Sequence, residues 1–495
     1  MQEKFLAFDL GASSGRAVVG ILENDRLKLD FIHRFPNRPV SILGTLYWDV
    51  LFLFDEMQRA MRIFSQKYGG FVEGIGVDTW GVDFGLIGRD GALLSNPVHY
   101  RDARTNGMME EVFKRAPKEE IYFTTGIQFM QINTLYQLFS MVKSSSPLLK
   151  AASTLLMMPD LFNYFITGTK RTEFTNATTT QFYESQKGNW ATSLLEKLSI
   201  PSKILPKIVP PGTILGNLLP SISENVGLET AKVIAPACHD TASAVAAVPA
   251  VEGEDWAYIS CGTWAVVGIE VQHPVINEQS FQLNFTNEGG VGGTYRFLKN
   301  VAGLWLIQEC KRMWEKSGRV YEYEELTQLA AEAKPFVAFI DPDYGSFLNP
   351  ADMPTSIIQF CERTGQQKPA TKGEIVRCVL ESLSLKKKVV LDMITKLHGP
   401  IRRLHLVGGG ARNSLLCQFL ANATGIPVIA GPVEATLIGN IIMQTTAVGI
   451  LPSIEEGRKL ISHSFELITY EPQEMEVWEK KYQRFLEILQ RPVCT

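Results

Sequence analysis

The sequence predicts an α/β protein with two domains. Apolar runs of strand length alternate with amphipathic helical patterns along most of the 495 residues, and this alternation is typical of α/β architecture. The pentapeptide AVVGI occurs at 17–21 and again at 265–269, each time after an apolar run and a glycine-led polar turn. This repeat indicates two related halves that each begin with a β-hairpin. The periodicity is interrupted near 247–254, so we expect domains over 1–247 and 248–495.

The first half predicts strands and helices in alternation. Segment 72–94 reads as strands separated by turns at Thr79–Gly81 and Arg89–Gly91. Helical patterns flank this segment at about 50–67 and at about 133–145. In both flanking stretches the apolar residues recur at the spacing of an amphipathic helix.

The second half contains the strongest helix pattern. Thr371 and Glu374 form a capping box in front of a long apolar periodicity, which Gly399-Pro400 ends. A strand then leads into the glycine loop VGGGARN (407–413) and a helix over 414–423. The short strand IPVIAGP and an amphipathic helix over about 474–490 complete the predicted order.

The composition is that of a packed globular protein, with 45% hydrophobic and 20% charged residues. The 48 basic and 52 acidic residues give a net charge of −4. This near-balance lacks the basic excess of a nucleic-acid-binding surface. One basic run, Lys386–Lys388, falls inside the predicted long helix, and we expect it to form a solvated helix face.

The cysteines favour a reducing compartment. They are scattered and contain no C-x-x-C pair, which argues against a disulfide framework or a zinc site: Cys238, Cys261, Cys310, Cys361, Cys378, Cys417 and Cys494. The first residues lack the features of a secretory signal, and no apolar run approaches the ~18 residues of a membrane span. We therefore expect a cytoplasmic protein, a monomer or homodimer, with no nucleic-acid or membrane partner.

Two glycine-led turns are candidates for phosphate binding. The turn DLGASSGR (9–16) offers backbone N–H groups and hydroxyls, which can cradle phosphate oxygens. Asp9 can hold Mg²⁺ through waters, and Arg16 can offset phosphate charge. An ordinary hairpin turn is the alternative, and the turn lacks the G-K-[ST] ending of a P-loop. Because SCGTW (260–264) repeats the pattern in the second half, the pair favours phosphate binding more than either turn alone.

Three further stretches could contact ligands. The glycines of VGGGARN permit close approach of the backbone to a ligand, although a plain turn with Asn413 as helix cap is the alternative. GVDTWGVDF (76–84) and VHYRDAR (98–104) place polar groups beside aromatic rings, which suits a sugar. A structural turn and a surface ion pair are the alternatives for these two stretches.

Asp240, in PACHDTASAVAAV (236–248), has three interpretations. It is well placed to be a helix N-cap. A metal site with His239 is disfavoured, because adjacent residues seldom converge on one ion and no third ligand has suitable spacing. The third interpretation is a general base. Two phosphate-type turns, a glycine loop and one acid are the parts that phosphoryl transfer requires. A serine hydrolase lacks support because G-x-S-x-G is absent, and glycosidase chemistry would leave the phosphate turns unexplained.

The motif order DLGASSGR, DTWGVDF, HYRD, HDTAS, SCGTW and VGGG resembles the FGGY carbohydrate kinases over residues 5 to about 450. YRDARTNG (100–107), TNATTTQ (175–181), HDTASAV (239–245) and TNEGG (286–290) resemble the branch that phosphorylates L-rhamnulose. The resemblance implies two actin-like, ribonuclease-H-like domains around a central cleft. It also implies ATP- and Mg²⁺-dependent phosphorylation of the C1 hydroxyl of L-rhamnulose, in L-rhamnose catabolism.

The resemblance also implies a role for individual residues. Asp240 matches the general base, and Asp9 matches the acid that helps to place Mg²⁺. Positions that contact ATP in the family correspond to Ala12, Ser13, Ser14, Gly15, Arg16, Thr263, Gln308 and Gly409. Positions that contact the sugar correspond to Gly81, His239, Thr241 and Asn300. We also expect Trp80, the aromatic residue of GVDTWGVDF, to contact the sugar.

The sequence departs from the family at Cys238 and Cys261, where serine is more usual, and this predicts sensitivity to oxidation near the site. Two rival functions stay open at this point. One is a kinase of the same fold for another ketose, such as L-fuculose or L-xylulose. The other is a nucleotide-dependent sugar sensor without turnover.

Overall fold

The structure is a computed structural model that describes residues 2–229, 231–250, 253–316, 318–348 and 350–491. The chain forms two compact units, and neither is a continuous segment. The first unit comprises Met1–Pro249, Glu270–Phe297 and Ala435–Ser464. The second unit comprises Ala250–Ile269, Leu298–Glu434 and Phe465–Thr495. The predicted domain boundary between 247 and 248 stays a prediction. The segment PAVEGED, which predicts this boundary, includes positions 251 and 252, and these lie outside the described residues.

The strands, numbered in chain order, are β1 Glu3–Leu10, β2 Ser14–Glu23, β3 Arg26–Pro36, β4 Val40–Ile42, β5 Thr45–Tyr47, β6 Gly74–Thr79, β7 Phe84–Ile87, β8 Thr154–Met157, β9 Thr172–Glu173, β10 Tyr183–Glu184, β11 Asn189–Trp190, β12 Ile208–Val209, β13 Thr213–Asn217, β14 Lys232–Ala235, β15 Trp256–Cys261, β16 Trp264–Val271, β17 Thr286–Gly289, β18 Tyr295–Ala302, β19 Arg403–Val407, β20 Val428–Ala430 and β21 Ile468–Tyr470.

The α-helices are α1 Val50–Tyr68, α2 Met108–Phe113, α3 Lys118–Thr125, α4 Thr134–Lys143, α5 Pro147–Ala151, α6 Met158–Thr167, α7 Phe174–Thr178, α8 Thr192–Lys197, α9 Pro220–Val226, α10 Asp240–Ala246, α11 Glu278–Gln282, α12 Trp305–Lys316, α13 Tyr323–Glu332, α14 Met353–Arg363, α15 Lys372–His398, α16 Ser414–Thr424, α17 Ala435–Ala447, α18 Ile454–Ser464 and α19 Met475–Gln490. Short 3₁₀ turns lie at Ala103–Thr105, Ser202–Ile204, Gly345–Phe347 and Gly409–Arg412.

The main sheet of the first unit has the strand order β13-β14-β6-β1-β2-β3. β1 and β2 form the predicted antiparallel hairpin, whereas β1, β6 and β14 run parallel to one another. Leu53, Met57 and Phe64 of α1 are buried in the core beside this sheet. Because parallel strands end at the same edge, the residues after β1, β6 and β14 lie side by side.

Helix α17 packs closely against β1 and β6. Gly76 in β6 permits this approach, since a Cβ atom there would overlap Oδ1 of Asn440. Gln444, one turn further along α17, donates a hydrogen bond to the Leu6 carbonyl oxygen in β1 (3.2 Å). The sheet of the first unit therefore packs against a helix that comes after segment Leu298–Glu434 of the second unit in the sequence.

Five strands of the second sheet follow the order β16-β15-β19-β20-β21. β15 and β16 form the second predicted hairpin, β15, β19 and β20 are parallel, and β21 is antiparallel to β20. The first unit has the same pattern in β2-β1-β6-β14-β13. This repeated topology supports the internal duplication that the two AVVGI segments predict.

Several local predictions are confirmed in the second unit. Thr371 and Glu374 form a reciprocal capping box at the start of α15. Asn413 caps α16, since its side chain accepts a hydrogen bond from the Leu416 backbone N–H. The predicted tail helix is α19. No helix in the described part of the chain combines the length and apolar content needed to cross a membrane.

The prediction that Lys386–Lys388 form a solvated face is wrong. Lys387 is fully buried, and its ammonium group donates to the Leu383 carbonyl oxygen at 3.3 Å. Lys386 pairs with Asp341 at 2.8 Å, and its side chain is only 15% exposed. α15 packs against α13 and α16, so most of its circumference is covered.

Candidate active site

The carboxyl edge of the first sheet gathers the predicted acidic residues. Asp9, near the end of β1, lies directly opposite Asp78, near the end of β6. The Thr79 backbone N–H donates to the Cys238 carbonyl oxygen at 2.9 Å, which joins the end of β6 to the segment after β14. Burial raises the pKa of Asp78 well above its ordinary value, and the nearby charges of Asp9 and Asp240 raise it further. The three carboxyl groups therefore form one electrostatic cluster.

Asp240 is the first residue of α10, and His239 occupies the N-cap position without a side-chain cap bond. The interpretation of Asp240 as the N-cap is therefore wrong. Asp240 Oδ1 accepts hydrogen bonds from the Thr241 backbone N–H (2.6 Å) and hydroxyl (3.1 Å). His239 Nε2 lies 3.3 Å from the same oxygen. The largely desolvated position of Asp240 raises the pKa of its carboxyl group.

The second carboxylate oxygen of Asp240 is available to a ligand. Oδ2 accepts no hydrogen bond from any of the described residues, and 33% of the side chain is exposed. Neighbouring groups therefore orient Oδ1, whereas Oδ2 keeps its lone pairs for a ligand. A positioned carboxylate with one such oxygen is suited to accept a proton from a bound hydroxyl.

The turn between β1 and β2 is exposed at its tip. Ala12 and Ser13 are exposed, while Ser14 and Arg16 are partly exposed and Gly15 is buried. The Gly11 backbone N–H donates to the Ser14 carbonyl oxygen at 3.0 Å, and Asn37 donates to the Gly11 carbonyl oxygen at 2.9 Å. Arg16 pairs with Asp9. The turn is thus held at its base while its tip stays accessible.

One carboxyl oxygen beside Asp9, unpartnered within the described part of the chain, suits a divalent cation. Asp78 is fully buried, and its Oδ1 has no hydrogen-bond partner among the described residues. Its other oxygen accepts from Asn440 Nδ2 at 2.6 Å. No three His, Cys, Asp or Glu side chains in the described ranges are arranged to hold a metal ion directly. The contact of Asp9 with Mg²⁺ through water stays a prediction.

Trp80 and Asp83 form a buried network. Asp83 accepts hydrogen bonds from the indoles of Trp48 (2.6 Å) and Trp80 (3.0 Å) and from Gln137 (2.9 Å). Burial raises the pKa of Asp83 to about 6. Trp80 is almost completely buried. The polar atom of its ring is engaged within the protein, while Gly81 next to it is partly exposed.

The segment TNATTTQ supports the backbone beside Asp240. Glu173 immediately precedes α7 and is fully buried. Its carboxylate accepts from the Thr175 hydroxyl (2.5 Å) and from the Cys238 backbone N–H (3.0 Å). The Thr175 hydroxyl oxygen in turn accepts from the His239 backbone N–H at 3.0 Å. Burial raises the pKa of Glu173 to about 7.

The second unit contains the other predicted residues. Thr263 lies in the turn between β15 and β16, and its hydroxyl donates to Gln308 Oε1 on α12 at 3.1 Å. The Trp305 backbone N–H, at the start of α12, donates to the Thr263 carbonyl oxygen. Asn300 lies in β18. Thr263 and Gln308 are thus brought together by the packing of a turn against a helix.

The glycine loop of the second unit follows β19. Gly408 adopts a positive φ of 82°, and a Cβ atom there would lie 3.1 Å from the Cys261 carbonyl oxygen. Gly409 is exposed with open space around its Cα. The loop therefore packs on the β15–β16 hairpin while Gly409 stays accessible to a ligand.

The predicted sensitivity of Cys238 and Cys261 to oxidation has no support in their surroundings. Both thiols are fully buried, and burial raises the pKa of each thiol. Oxidants react with the accessible thiolate form. All six cysteines of the described ranges are free and buried, whereas Cys494 lies outside the described residues.

Three residues that support the site have no pattern of their own in the sequence. Glu173, Arg296 and Asn440 all contact site residues through side chains. Asn440 lies 362 positions from Asp78, and no local pattern connects the two. TNEGG, just before Arg296, and TNATTTQ, just after Glu173, resemble family motifs. These two segments are the sequence features that indicate a site near Arg296 and Glu173.

The fold and the site define a class of enzyme. A repeated α/β sheet, a glycine-serine turn and a carboxylate with one free oxygen are features that phosphoryl transfer can use. Residues 4–247 match the FGGY family of carbohydrate kinases, N-terminal domain, and residues 257–448 match the C-terminal domain of that family. The chain belongs to the FGGY family of carbohydrate kinases.

Individual relatives agree with this family. A rhamnulokinase of Bacteroides thetaiotaomicron is 43% identical over 98% of this chain and 99% of its own length. A rhamnulokinase of Oceanobacillus iheyensis is 40% identical over 96% of this chain and 100% of its own length. The crystal structure of a ligand-bound xylulose kinase from Lactobacillus acidophilus has a TM-score of 0.81 at 17% identity, covering 98% of this chain and 97% of that chain. The structural likeness confirms the predicted two-domain α/β fold.

Proposed function

We propose that this protein transfers the γ-phosphoryl group of ATP to the C1 hydroxyl of L-rhamnulose. Family membership supports the sugar kinase activity, and relatives named rhamnulokinase at 43% and 40% identity support the substrate. The observation that carries the chemistry is the free Oδ2 of Asp240 beside an Oδ1 that is held by Thr241 and lies against His239.

Asp240 acts as the general base. Its Oδ2 accepts the proton of the C1 hydroxyl as the bond from this oxygen to phosphorus forms and the bond from phosphorus to the leaving oxygen of ADP breaks. In a loose phosphoryl-transfer transition state, positioning of the acceptor contributes more than early removal of its proton. The contacts to Oδ1 supply that positioning.

The two glycine-led turns and the glycine loop contact ATP. Ala12 to Arg16 in the first unit, and Thr263, Gln308 and Gly409 in the second unit, are the residues that we assign to this role. The exposure of Ala12 and Ser13 supports the assignment, because N–H groups of an exposed turn attract phosphate oxygens. Gly409 leaves room for a ligand where any side chain would occupy it.

The carboxyl edge of the first sheet holds the metal. We assign Mg²⁺ to Asp9, acting through water, with Asp78 as its buried neighbour. A bound Mg²⁺ offsets the negative charge of the phosphates. The buried Oδ1 of Asp78, which has no partner among the described residues, supports a bound cation or its water at this edge.

The sugar contacts are Trp80, Gly81, His239, Thr241 and Asn300. His239 and Thr241 flank the base and are partly exposed, so both lie beside a sugar that presents its hydroxyl to Asp240. The ring nitrogens of His239 face Asp240 and Arg296, so its contact with the sugar is made by the rest of the ring. The indole N–H of Trp80 donates to Asp83 and is not available to the sugar. Trp80 therefore contacts the sugar through its apolar ring beside Gly81.

The experiment is a panel of ketoses with ADP release as the readout. L-Rhamnulose, L-fuculose and L-xylulose are supplied with Mg-ATP, and the phosphorylated carbon is identified by NMR. We expect the highest kcat/KM for L-rhamnulose and phosphate on C1. Preference for another ketose would contradict the substrate, and ATP hydrolysis without sugar phosphate would contradict the kinase activity.

A further inference from the structure

The buried pair Glu288 and Arg296 has no role in the reaction described above. Glu288 lies in β17, within the TNEGG segment, and Arg296 lies in β18. Their side chains form an ion pair at 3.1 Å, and the Arg296 side chain is 0% exposed. Arg296 Nε also donates to the Gly289 carbonyl oxygen at 2.8 Å, which fixes the guanidinium plane.

This ion pair contacts the side chain next to the base. His239 Nδ1 lies 3.2 Å from Arg296 Nη2 and 3.3 Å from a carboxylate oxygen of Glu288. On the other side of the ring, His239 Nε2 lies 3.3 Å from Asp240 Oδ1. The imidazole therefore connects a buried ion pair to the orienting oxygen of Asp240.

The donors and acceptors at these contacts select one form of the imidazole. Arginine can only donate, so the Nη2 contact requires a lone pair on His239 Nδ1. Nη2 carries two hydrogens, one for Glu288 and one for His239. Nδ1 also lies 3.3 Å from the Glu288 oxygen, an acceptor, but that oxygen already receives a hydrogen from Nη2 at 3.1 Å. A proton on Nδ1 would place two donors against each other at 3.2 Å, the shorter of the two Nδ1 contacts. With Nδ1 as acceptor, the proton of the neutral ring lies on Nε2, the nitrogen on the side of Asp240.

We propose that Arg296 and Glu288 are positioning residues that hold His239 as the neutral ring with its proton on Nε2. In this form His239 presents its N–H to Oδ1 of Asp240 and leaves Oδ2 to the acceptor hydroxyl. Glu288 compensates the charge of Arg296, so that the guanidinium can be buried beside the imidazole. The proposal rests on the proposed role of Asp240 as the base.

The tautomer can be measured on the wild-type protein. The chain is labelled with ¹⁵N-histidine, and the His239 signals are identified by their loss in His239→Gln. We expect Nδ1 to resonate as an unprotonated and Nε2 as a protonated ring nitrogen at neutral pH. A proton on Nδ1 would overturn the proposal, whatever the activity. This readout is independent of turnover, so it separates the proposal from a failure of the proposed function.

Two variants connect the tautomer to the reaction. In Arg296→Met, Nδ1 loses its donor and can donate to Glu288, so we expect the proton to move to Nδ1. The kcat for L-rhamnulose should fall by about a hundredfold, because small displacements of a catalytic group have effects of this size, while KM for ATP stays unchanged. Unchanged kcat with a moved proton would overturn the positioning role.

Glu288→Gln is the milder variant and keeps the volume of the side chain. It removes the charge that compensates Arg296, and we expect an intermediate loss of kcat with the Nε2 proton retained. If Arg296→Met does not fold, Arg296→Lys replaces it, since lysine retains a donor but loses the bond to Gly289. A wild-type kcat in both Glu288→Gln and Arg296→Lys would contradict the proposal.

Discussion

Asn440 donates a hydrogen bond of 2.6 Å to Oδ2 of Asp78, although 362 positions separate the two residues in the sequence. Gln444 donates to Asn440 Oδ1 at 2.7 Å and so fixes the direction of the amide. The carboxylate at the end of β6 is thus oriented by two amides from a helix of the same unit. Asp78 keeps only one oxygen without a partner among the described residues.

Replacement of Asn440 by alanine should destabilise the protein, because it leaves a buried carboxylate without its donor. We expect a loss of about 1–3 kcal/mol in the free energy of unfolding. The measurement is denaturant unfolding of Asn440→Ala, Asp78→Ala and the double variant. Additive effects in this cycle would contradict the interaction, since contacting residues couple by at least about 0.5 kcal/mol.

Asp240→Asn should reduce kcat for L-rhamnulose by about 10²–10⁴-fold, the range that a general base contributes. ATP binding, measured by calorimetry, should persist because the turn at 11–13 is unchanged. Asp55→Asn, on the exposed face of α1, is the matched control and should retain full activity. Near-normal turnover in Asp240→Asn would exclude the role of the base.

Glu173→Gln should change how stability depends on pH. Burial raises the pKa of Glu173 from 4.5 to about 7, so the folded protein binds a proton that the unfolded chain releases between these values. The wild type therefore loses stability as pH rises from 4.5 to about 7, by about 3 kcal/mol at most, and the neutral glutamine removes this loss.

The measurement is the difference in unfolding free energy between wild type and Glu173→Gln across the interval from 4.5 to about 7 and beyond it. The difference should move in favour of the variant as pH rises and become constant above the upper value. A difference that does not vary with pH would show that burial does not raise the pKa of Glu173.

Lys387→Met should stabilise the protein at neutral pH. Burial lowers the pKa of Lys387 below 10.5, so at neutral pH folding costs free energy, either for burying the charge or for removing the proton, and this cost falls as pH rises from the lowered pKa toward 10.5. Replacing a buried charge by an apolar side chain of similar size is often stabilising. We expect the thermal midpoint to rise by about 2 °C or more, and the gain should shrink in alkaline solution.

Lys396→Met on the exposed face of the same helix is the control. This variant removes one exposed positive charge from α15 and keeps the buried Lys387. The thermal midpoint of the variant should therefore stay close to that of the wild type. An equal gain in both variants would attribute the effect to the net charge of the helix and not to burial.

Local patterns predict the elements well. Both hairpins, the capping box at Thr371 and the cap at Asn413 follow from residues that are close in sequence and interact through the backbone. The pattern at 236–248 favours Asp240 as the cap of α10, but the cap position is His239. Asp240 is therefore the first residue of α10; its Oδ1 accepts the Thr241 backbone N–H, and its Oδ2 stays available to a ligand.

Tertiary packing determines what the sequence could not predict. Lys386–Lys388 has the composition of a surface run, yet the neighbours of α15 bury Lys387. The sequence offers Trp80 as a sugar contact, but the structure shows that its indole N–H is used by Asp83. Side-chain partners that are distant in sequence, such as Asn440 for Asp78, have no local signature.

The position of α17 has a consequence for biosynthesis. The ribosome makes β1 early, but Asn440 and Gln444, which lie against β6 and β1, emerge only when most of the chain has been translated. Until then, the face of the sheet that α17 covers lacks its partner. This face is therefore exposed to chaperones for most of the time that the ribosome needs to complete the chain.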